Sequence, residues 1–225
     1  MCLIVLAWRA RPDAPLIVAA NRDEFHARPA APAAFWKDEP QILAGRDLEA
    51  MGTWMGVARN GRFAAVTNYR GGRDANAAES RGVLVSRFLV NGLAPAEYVA
   101  SLTPAHYSGF NLLAADGKEL WWCSNRDRVP RRLEPGIYGL GNFLLDTPEV
   151  AEPKAQFSRA LDPAPSLEPL FSVLAAAKIV APEYGTRCST ALITGGDGRI
   201  QFAERAFNAS GDEGETVRYE FRLTA

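Results

Sequence analysis

The sequence contains few of the residues that build metal, haem or disulfide sites. Its 225 residues include only three cysteines and two histidines, namely Cys2, Cys123, Cys188, His26 and His106. They form no Cys-x-x-Cys, His-Glu-x-x-His or Cys-x-x-Cys-His pattern, which excludes the common zinc and haem-attachment motifs. An odd number of cysteines argues against a disulfide framework. A histidine-based catalytic site would have to recruit one of only two histidines.

Long apolar runs and an excess of one charge are also missing. No apolar run approaches about 18 residues, so we expect no integral membrane segment. The segment Met1–Ala7 lacks the basic start of a secretory signal, so a cytoplasmic location is expected. Lys and Arg number 25 against 26 Asp and Glu, and this balance disfavours nucleic acid as a partner.

The residues that are present are typical of one globular domain over residues 1–225, with 48% hydrophobic and 23% charged residues. Short apolar runs bounded by turn signals predict strands at 2–8, 15–20, 54–58, 62–69, 109–115, 119–124, 136–140, 187–194, 199–204 and 216–223. Helices are predicted at 80–90, 94–102, 148–161 and 166–178, and the longest loops at 29–40 and 70–79. Strands in hairpin groups with helices between them predict an α+β fold of stacked, mostly antiparallel sheets with helices outside.

Cys2 is the most informative single residue. Removal of Met1 would leave Cys2 with both a thiol and a free α-amine. Such an amine titrates near ~7.7–8.0, which suits a general base at neutral pH, and a thiol titrates near ~8.5. One residue would then supply nucleophile and base, and no histidine would be needed. The alternative interpretation is a small buried residue at the start of a strand.

The first predicted hairpin brings polar residues beside Cys2. If the turn spans residues 9–14, antiparallel pairing places Cys2 opposite Asn21. Asn21 and Asp23 would then share the face of Cys2, and Arg22 would point to the other face. A carboxylate there can hold an α-ammonium group, and a guanidinium favours a thiolate. The alternative is a polar strand end in solvent.

Polar residues also mark the ends of three later strands. Asn68 ends an apolar strand before a glycine-rich loop, Asn142 follows a strand punctuated by glycines, and Arg187 opens another strand. Asparagine amides are neutral hydrogen-bond donors, which suits an oxyanion hole. Taken alone, each asparagine is more typical of a turn than of such a site.

Several short motifs, in this order along the chain, resemble the transport-and-Golgi-organisation family, which is also named for its Asn-Arg-Asp-Glu signature. They are Met1–Ile4, Asn21–Glu24, Gly52–Trp54, Thr67–Arg70, Ser80–Gly82, Gly109–Leu112 and Gly185–Arg187. The resemblance implies a four-layer αββα sandwich like that of the N-terminal-nucleophile (Ntn) hydrolases. It brings no settled reaction, because members of the family are linked to secretory organisation, lipid metabolism and haem movement.

The implied fold is similar to that of bile-salt hydrolases and penicillin V acylases, which cleave amide bonds with a processed N-terminal cysteine. The catalytic residues implied by position are Cys2 as nucleophile, Arg22 and Asp23 as the charged pair beside it, Asn68 and Asn142 as the oxyanion and amine-positioning amides, and Arg187 as the second cation. Substrate contacts are expected at Asn21, Trp54 and Tyr69. The acylases space their arginine and aspartate three residues apart, whereas here the two are adjacent and face opposite ways on a strand, which leaves one of the two roles open.

Two functions remain after this reasoning. The first is an amidohydrolase that cleaves a linear C–N amide bond of a small acylated substrate without a cofactor or metal. The second is a non-catalytic protein that carries haem or an acyl lipid in the same cleft, where a thiolate or His26 could touch the iron. Tryptophans could line such a cleft, although they are more often core residues: Trp8, Trp36, Trp54, Trp121 and Trp122. A scaffold with a vestigial cleft is a third possibility, and the oligomeric state is left open.

Overall fold

The structure is a computed structural model, and it describes residues 2–71, 74, 76–127 and 129–224. Met1, on whose removal the N-terminal nucleophile depends, lies outside the described residues. The described residues form two compact units. The first draws on residues 1–28, 135–141 and 145–223, and the second on residues 29–134, 142–144 and 224–225. The single domain over 1–225 stays a prediction.

Strands dominate the described part of the chain. They are β1 (Leu3–Trp8), β2 (Leu16–Phe25), β3 (Ala30–Phe35), β4 (Ile42–Asp47), β5 (Met55–Ala58), β6 (Phe63–Asn68), β7 (Phe110–Ala115), β8 (Leu120–Ser124), β9 (Arg131–Arg132), β10 (Gly136–Leu140), β11 (Tyr184–Thr194), β12 (Arg199–Phe207) and β13 (Glu213–Arg222). The helices are α1 (Gly82–Val90), α2 (Pro95–Ser101), α3 (Ala151–Ala160) and α4 (Leu167–Ala175), with short 3₁₀ turns at Pro104–His106 and Pro148–Val150.

The first unit is built on an antiparallel sheet whose described strands run in the order β10-β1-β2-β11-β12-β13. All six residues of β1 are buried, which explains why its sequence is continuously apolar instead of alternating. One face of the sheet packs under α3 and α4. The shared core includes Leu3, Val5, Ile17, Phe157 and Leu170.

The second unit is built on an antiparallel sheet whose described strands follow the chain order from β3 to β9. Helices α1 and α2 cover one of its faces, and the core there includes Ala64, Leu84, Phe88 and Leu112. Two of the family motifs meet at the start of α1. A Cβ atom on Gly52 would lie 2.6 Å from the carbonyl carbon of Gly82, so this close backbone approach requires glycine.

The predicted loop at 29–40 is wrong, because most of the segment up to Phe35 forms strand β3. β3 is an edge strand, and its pairing with β4 shifts register between Ala31 and Ala34. Pro32 falls at that shift, where the missing N–H costs no ladder hydrogen bond. Strand β4 and the short β9 were also not predicted. Every helix and every strand that was predicted matches an observed element.

The predicted α+β class with mostly antiparallel sheets is confirmed, since both sheets are antiparallel and each carries helices. Within the residues that the structure describes, no helix is both long enough and apolar enough to cross a membrane.

Candidate active site

The pairing of β1 with β2 differs from the predicted pairing by one residue. Leu3 pairs with Asn21, so Arg22 instead of Asn21 is level with Cys2. A shift of one residue moves every side chain of a strand to the other face of the sheet. The predicted register, which grouped Asn21 and Asp23 with Cys2 and sent Arg22 away, is therefore wrong.

The turn between β1 and β2 explains the shift. The Arg9 N–H donates to the Pro15 carbonyl oxygen at 2.7 Å, and Trp8 pairs with Leu16. Pro15 has no N–H to donate to the ladder, so it lies in the turn and not in the strand.

The Cys2 sulfur lies against the backbone of Asp23. Its Sγ atom is 3.3 Å from the Asp23 carbonyl oxygen, to which the thiol donates, and 3.4 Å from the Asp23 nitrogen, whose N–H it accepts. Burial raises the pKa of the Cys2 thiol from 9.0 to about 11, and the Asp23 carboxylate adds to the rise. The backbone hydrogen bond from Asp23 and the Arg22 guanidinium lower this pKa. The thiol is therefore protonated at neutral pH and needs a base to become a nucleophile.

Two side chains of β11 hold Asp23 from the opposite side. Thr186 Oγ1 donates to Asp23 Oδ1 at 2.6 Å, and the Tyr184 hydroxyl donates to the Asp23 carbonyl oxygen at 3.2 Å. Tyr184 and the Cys2 thiol thus bind the same oxygen. Burial raises the pKa of Tyr184, with the Cys2 and Asp23 charges adding to it, so Tyr184 remains a donor.

Arg187 occupies a β-bulge opposite this cluster. Asp23 pairs with Thr186 and Arg22 pairs with Cys188, which leaves Arg187 as the extra residue between them. Bulges re-aim side chains and are common beside active sites. Burial lowers the pKa of Arg187, and the nearby Arg22 charge lowers it further. The two predicted cations are therefore close enough to interact.

Asn21 lies on the helix-covered face of the first sheet and is 2% exposed. Its Nδ2 donates to the Leu174 carbonyl oxygen of α4 at 2.9 Å, and its Oδ1 accepts from Ser189 Oγ at 2.6 Å. Its amide is thus used inside the protein, an arrangement that favours a structural role over the predicted substrate contact.

In the second unit, the segment around residue 142 is attached to the end of β6. Asn142 Nδ2 donates to the Asn68 carbonyl oxygen at 2.7 Å, and the Arg70 N–H donates to the Asn142 carbonyl oxygen at 2.7 Å. The Tyr69 ring lies edge-on to the Phe143 ring, with centroids 6.3 Å apart. Asn68, Tyr69 and Asn142 are therefore neighbours. One side-chain N–H of Asn142 is therefore already bonded to a backbone carbonyl oxygen.

Asn111 anchors the same segment from β7. It is fully buried, and its Nδ2 donates to the Phe143 carbonyl oxygen at 2.7 Å and to Thr67 Oγ1 at 3.2 Å. The predicted contact Trp54 directly precedes β5: its carbonyl oxygen accepts from the Val66 N–H of β6 at 2.8 Å, and its ring packs over Gly45.

The structure therefore sorts the predicted residues by unit. The first unit holds Cys2, Asn21, Arg22, Asp23 and Arg187, and the second holds Trp54, Asn68, Tyr69 and Asn142. Sequence reasoning missed Tyr184 and Thr186, because it began the strand at Arg187. It also missed Asn111, although an asparagine inside the apolar run Phe110–Ala115 was a usable signal.

The residues proposed for haem contact are used in other ways. His26 Nε2 lies 3.0 Å from the Ala181 carbonyl oxygen. Trp8, Trp36 and Trp122 are buried, as core tryptophans are, and Trp54 and Trp121 are partly buried. Among the described residues, no three His, Cys, Asp or Glu side chains are grouped so that they could hold a metal ion.

Comparison with known proteins settles the family. A family model described as Transport and Golgi organisation 2 matches residues 1–181. The chain belongs to this family. Among the Transport and Golgi organisation 2 relatives, the Bos taurus homolog is 35% identical over 99% of each chain, and the Homo sapiens homolog is 34% identical over 99% of each. The Drosophila melanogaster protein is 33% identical over 66% of this chain and 60% of its own length. The resemblance that the motifs indicated is confirmed.

Solved structures similar to this family member are hydrolases by name. The Caenorhabditis elegans ortholog of N-acylethanolamine-hydrolyzing acid amidase matches 85% of this chain and 92% of its own, with a TM-score of 0.53 and 11% identity. A mutant of the conjugated bile acid hydrolase from Clostridium perfringens matches 100% of this chain and 98% of its own, with a TM-score of 0.55 and 10% identity. At such identities the likeness concerns the fold alone, and it confirms the predicted Ntn-hydrolase-like fold.

Proposed function

We propose that this protein is an amidohydrolase that uses Cys2 as an N-terminal nucleophile against the linear C–N amide bond of a small acylated substrate. The observation that carries the proposal is the position of the Cys2 sulfur, within 3.4 Å of the Asp23 backbone and level with Arg22. A thiol, a carboxylate and a guanidinium are thus grouped at one end of the first sheet. The hydrolase fold is consistent with this chemistry but does not establish it.

The proposed reaction begins with cleavage of the Met1–Cys2 peptide bond, which frees the α-amine of Cys2. That amine, through a water molecule, accepts the thiol proton, and the thiolate attacks the substrate carbonyl carbon. The C–N bond then breaks, and the leaving amine takes the proton back from the α-ammonium. Water hydrolyses the resulting thioester, which releases the acid and restores the thiol. The net change is amide plus water to acid plus amine.

The charged residues have distinct roles in this scheme. The Asp23 carboxylate holds the α-ammonium, and Arg22 favours the thiolate, in keeping with the direction in which each shifts the pKa of Cys2. The family resemblance assigns the oxyanion and the departing amine to Asn68 and Asn142. Those two assignments stay predictions, tested by Asn68→Ala and Asn142→Ala, for which we expect a loss in kcat of about 100-fold.

The test combines mass spectrometry with an activity assay. Intact mass should show loss of Met1, and a panel of N-acyl amides should be hydrolysed by the unmodified protein but not by Cys2→Ala. Cys188→Ala is the matched control, since Cys188 is a buried thiol on the neighbouring strand β11. Retention of Met1 on all molecules, with neither acylation of Cys2 nor hydrolysis of any amide, would refute the proposal.

A non-catalytic acyl-lipid carrier is the second candidate, favoured by one observation. Phe25, at the end of β2 beside this cluster, is 56% exposed. Lipid binding that persists unchanged in Cys2→Ala, without any turnover, would favour this candidate.

Haem carriage stays a prediction, which titration with haem followed by absorbance tests. A saturable, Cys2-dependent Soret shift supports it, and the absence of a shift contradicts it.

A further inference from the structure

Among the described residues, the guanidinium of Arg187 is anchored through its Nη1 nitrogen alone. Its Nη1 donates to the carbonyl oxygens of Phe25, at 2.9 Å, and of Arg28, at 3.0 Å. These two bonds use both Nη1 hydrogens and fix the plane of the group. Across the described residues, nothing hydrogen-bonds to Nε or Nη2 of Arg187.

The Nε and Nη2 nitrogens of Arg187 have a geometry that suits an anion. Nε–H and one Nη2–H of a guanidinium point in parallel, which is the geometry that binds a carboxylate through two hydrogen bonds. Because the backbone anchor already orders the side chain, little conformational freedom is lost when a ligand binds. Glu24, whose charge partly offsets the lowering of the Arg187 pKa by burial, is itself engaged: its carboxylate accepts the Phe25 N–H at 2.9 Å and lies 4.0 Å from Arg28 Nε.

An apolar surface lies next to this cation. The Phe25 side chain is 56% exposed, and its ring stands edge-on to Tyr184 with centroids 5.3 Å apart. Phe25 also supplies one of the two carbonyls that anchor Arg187. The fixed cation of Arg187 therefore lies beside the exposed ring of Phe25. This pair suits a ligand in which an anionic group is joined to an apolar chain.

We propose that the Nε–Nη2 edge of Arg187 and the ring of Phe25 form a subsite for the carboxylate and adjoining acyl chain of an amphiphilic ligand. This inference deepens the proposed function, since such a ligand would present its amide to Cys2: Tyr184 contacts Phe25 and shares the Asp23 carbonyl oxygen with the thiol. Arg187 then acts in substrate recognition and is not required to activate the thiol.

Calorimetric titration of the Cys2→Ala protein, which has no nucleophile at this position, tests the subsite without turnover. The probes are N-decanoylglycine, with its carboxylate beside the amide, decanedioic acid monoamide, with its carboxylate at the far end of the chain, and the neutral N-decanoylethanolamide. We expect at least one anionic probe to bind about 10- to 100-fold more tightly than the neutral one. Which anionic probe binds shows whether the carboxylate belongs to the amine or to the acyl part.

Variants show whether the preference belongs to this subsite. Arg187→Gln should abolish it and Arg187→Lys should remove most of it, whereas Arg159→Gln, at an exposed position on α3, should leave it intact. Phe25→Ala should weaken the binding of all three probes by about 5- to 10-fold. If Arg187→Gln does not fold, the probe comparison and Phe25→Ala decide.

Equal affinity for anionic and neutral probes, or a preference that survives in Arg187→Gln, overturns the subsite. Amide hydrolysis by the unmodified protein is measured separately. A preserved anion preference without hydrolysis would contradict the proposed function and leave the subsite standing, whereas hydrolysis of neutral amides alone would do the opposite.

Discussion

Thr186 Oγ1 donates to Asp23 Oδ1 at 2.6 Å, and both residues are buried. This bond joins the Asn-Arg-Asp-Glu motif of β2 to the Gly-Thr-Arg motif of β11, two motifs more than 150 residues apart in the sequence. It also fixes the side chain whose charge acts most directly on the Cys2 thiol. Two motifs that are far apart in the sequence therefore meet at Asp23, beside the Cys2 thiol.

Thr186→Val should destabilise the protein by about 1–3 kcal/mol, because it leaves a buried carboxylate oxygen without this donor and the Ile179 N–H without its acceptor. Urea unfolding measures the change. Thr216→Val, on the edge strand β13, is the control and should change stability by less than about 0.5 kcal/mol. Equal effects of the two variants would contradict the importance of the bond.

Asn21→Ala separates the structural role of Asn21 from the predicted substrate contact. Loss of its bonds to Leu174 and Ser189 should lower the free energy of unfolding by about 1–3 kcal/mol. Once a substrate is found, KM measured at a temperature where the variant is folded should be unchanged. A raised KM with unchanged stability would restore the substrate contact.

Asp23→Asn and Arg22→Gln should shift the pKa of the Cys2 thiol in opposite directions. Removing the carboxylate lowers this pKa, and removing the guanidinium raises it. Alkylation of Cys2 by iodoacetamide, followed by peptide mapping across pH 7–11, should be faster at a given pH in Asp23→Asn and slower in Arg22→Gln. Asp212→Asn, on an exposed loop, is expected to match the unmodified protein, and shifts of the same sign in both test variants would refute the charge assignment.

Stability should fall at alkaline pH, with a contribution from Cys123. Burial raises the pKa of Cys123 from 9.0 to about 12, so the unfolded chain releases this proton at lower pH than the folded protein does. The stabilisation is fully present below about pH 9 and is lost as the pH rises toward 12, at about 1.4 kcal/mol per pH unit for one thiol. Urea unfolding between pH 8 and 11 should show a shallower loss in Cys123→Ala than in the unmodified protein. Parallel pH profiles would argue against this thiol as a contributor.

Asn111→Leu should release the segment 142–144 from β7. The variant loses the hydrogen bond to the Phe143 carbonyl oxygen and the bond to Thr67, so we expect a stability loss of about 1–3 kcal/mol. Hydrogen exchange should quicken at the Arg70 N–H, which is bound by Asn142. Exchange that stays as slow as in the unmodified protein would show that Asn142 alone holds the segment.

The helices and most strands could be predicted because their apolar spacing is local. The exact pairing could not, because it depends on turn geometry: Pro15 shifted the first hairpin by one residue and thereby exchanged the faces assigned to Asn21 and Arg22. The strand was predicted to end at residue 20, whereas β2 extends to Phe25. Its polar end is held by β11, which lies far along the chain and gives no local signal. The bulge at Arg187 left no local signal, because it exists only in the pairing with β2.

The same bulge limits how the region can be altered. Strand β11 keeps its pairing with β2 on both sides of position 187 only because one extra residue is accommodated there as a bulge. A deletion there would pull either Thr186 away from Asp23 or Cys188 away from Arg22. An engineer who wants another ligand preference therefore has to exchange the side chain in place, since changing the length of the strand would dismantle the surroundings of the sulfur.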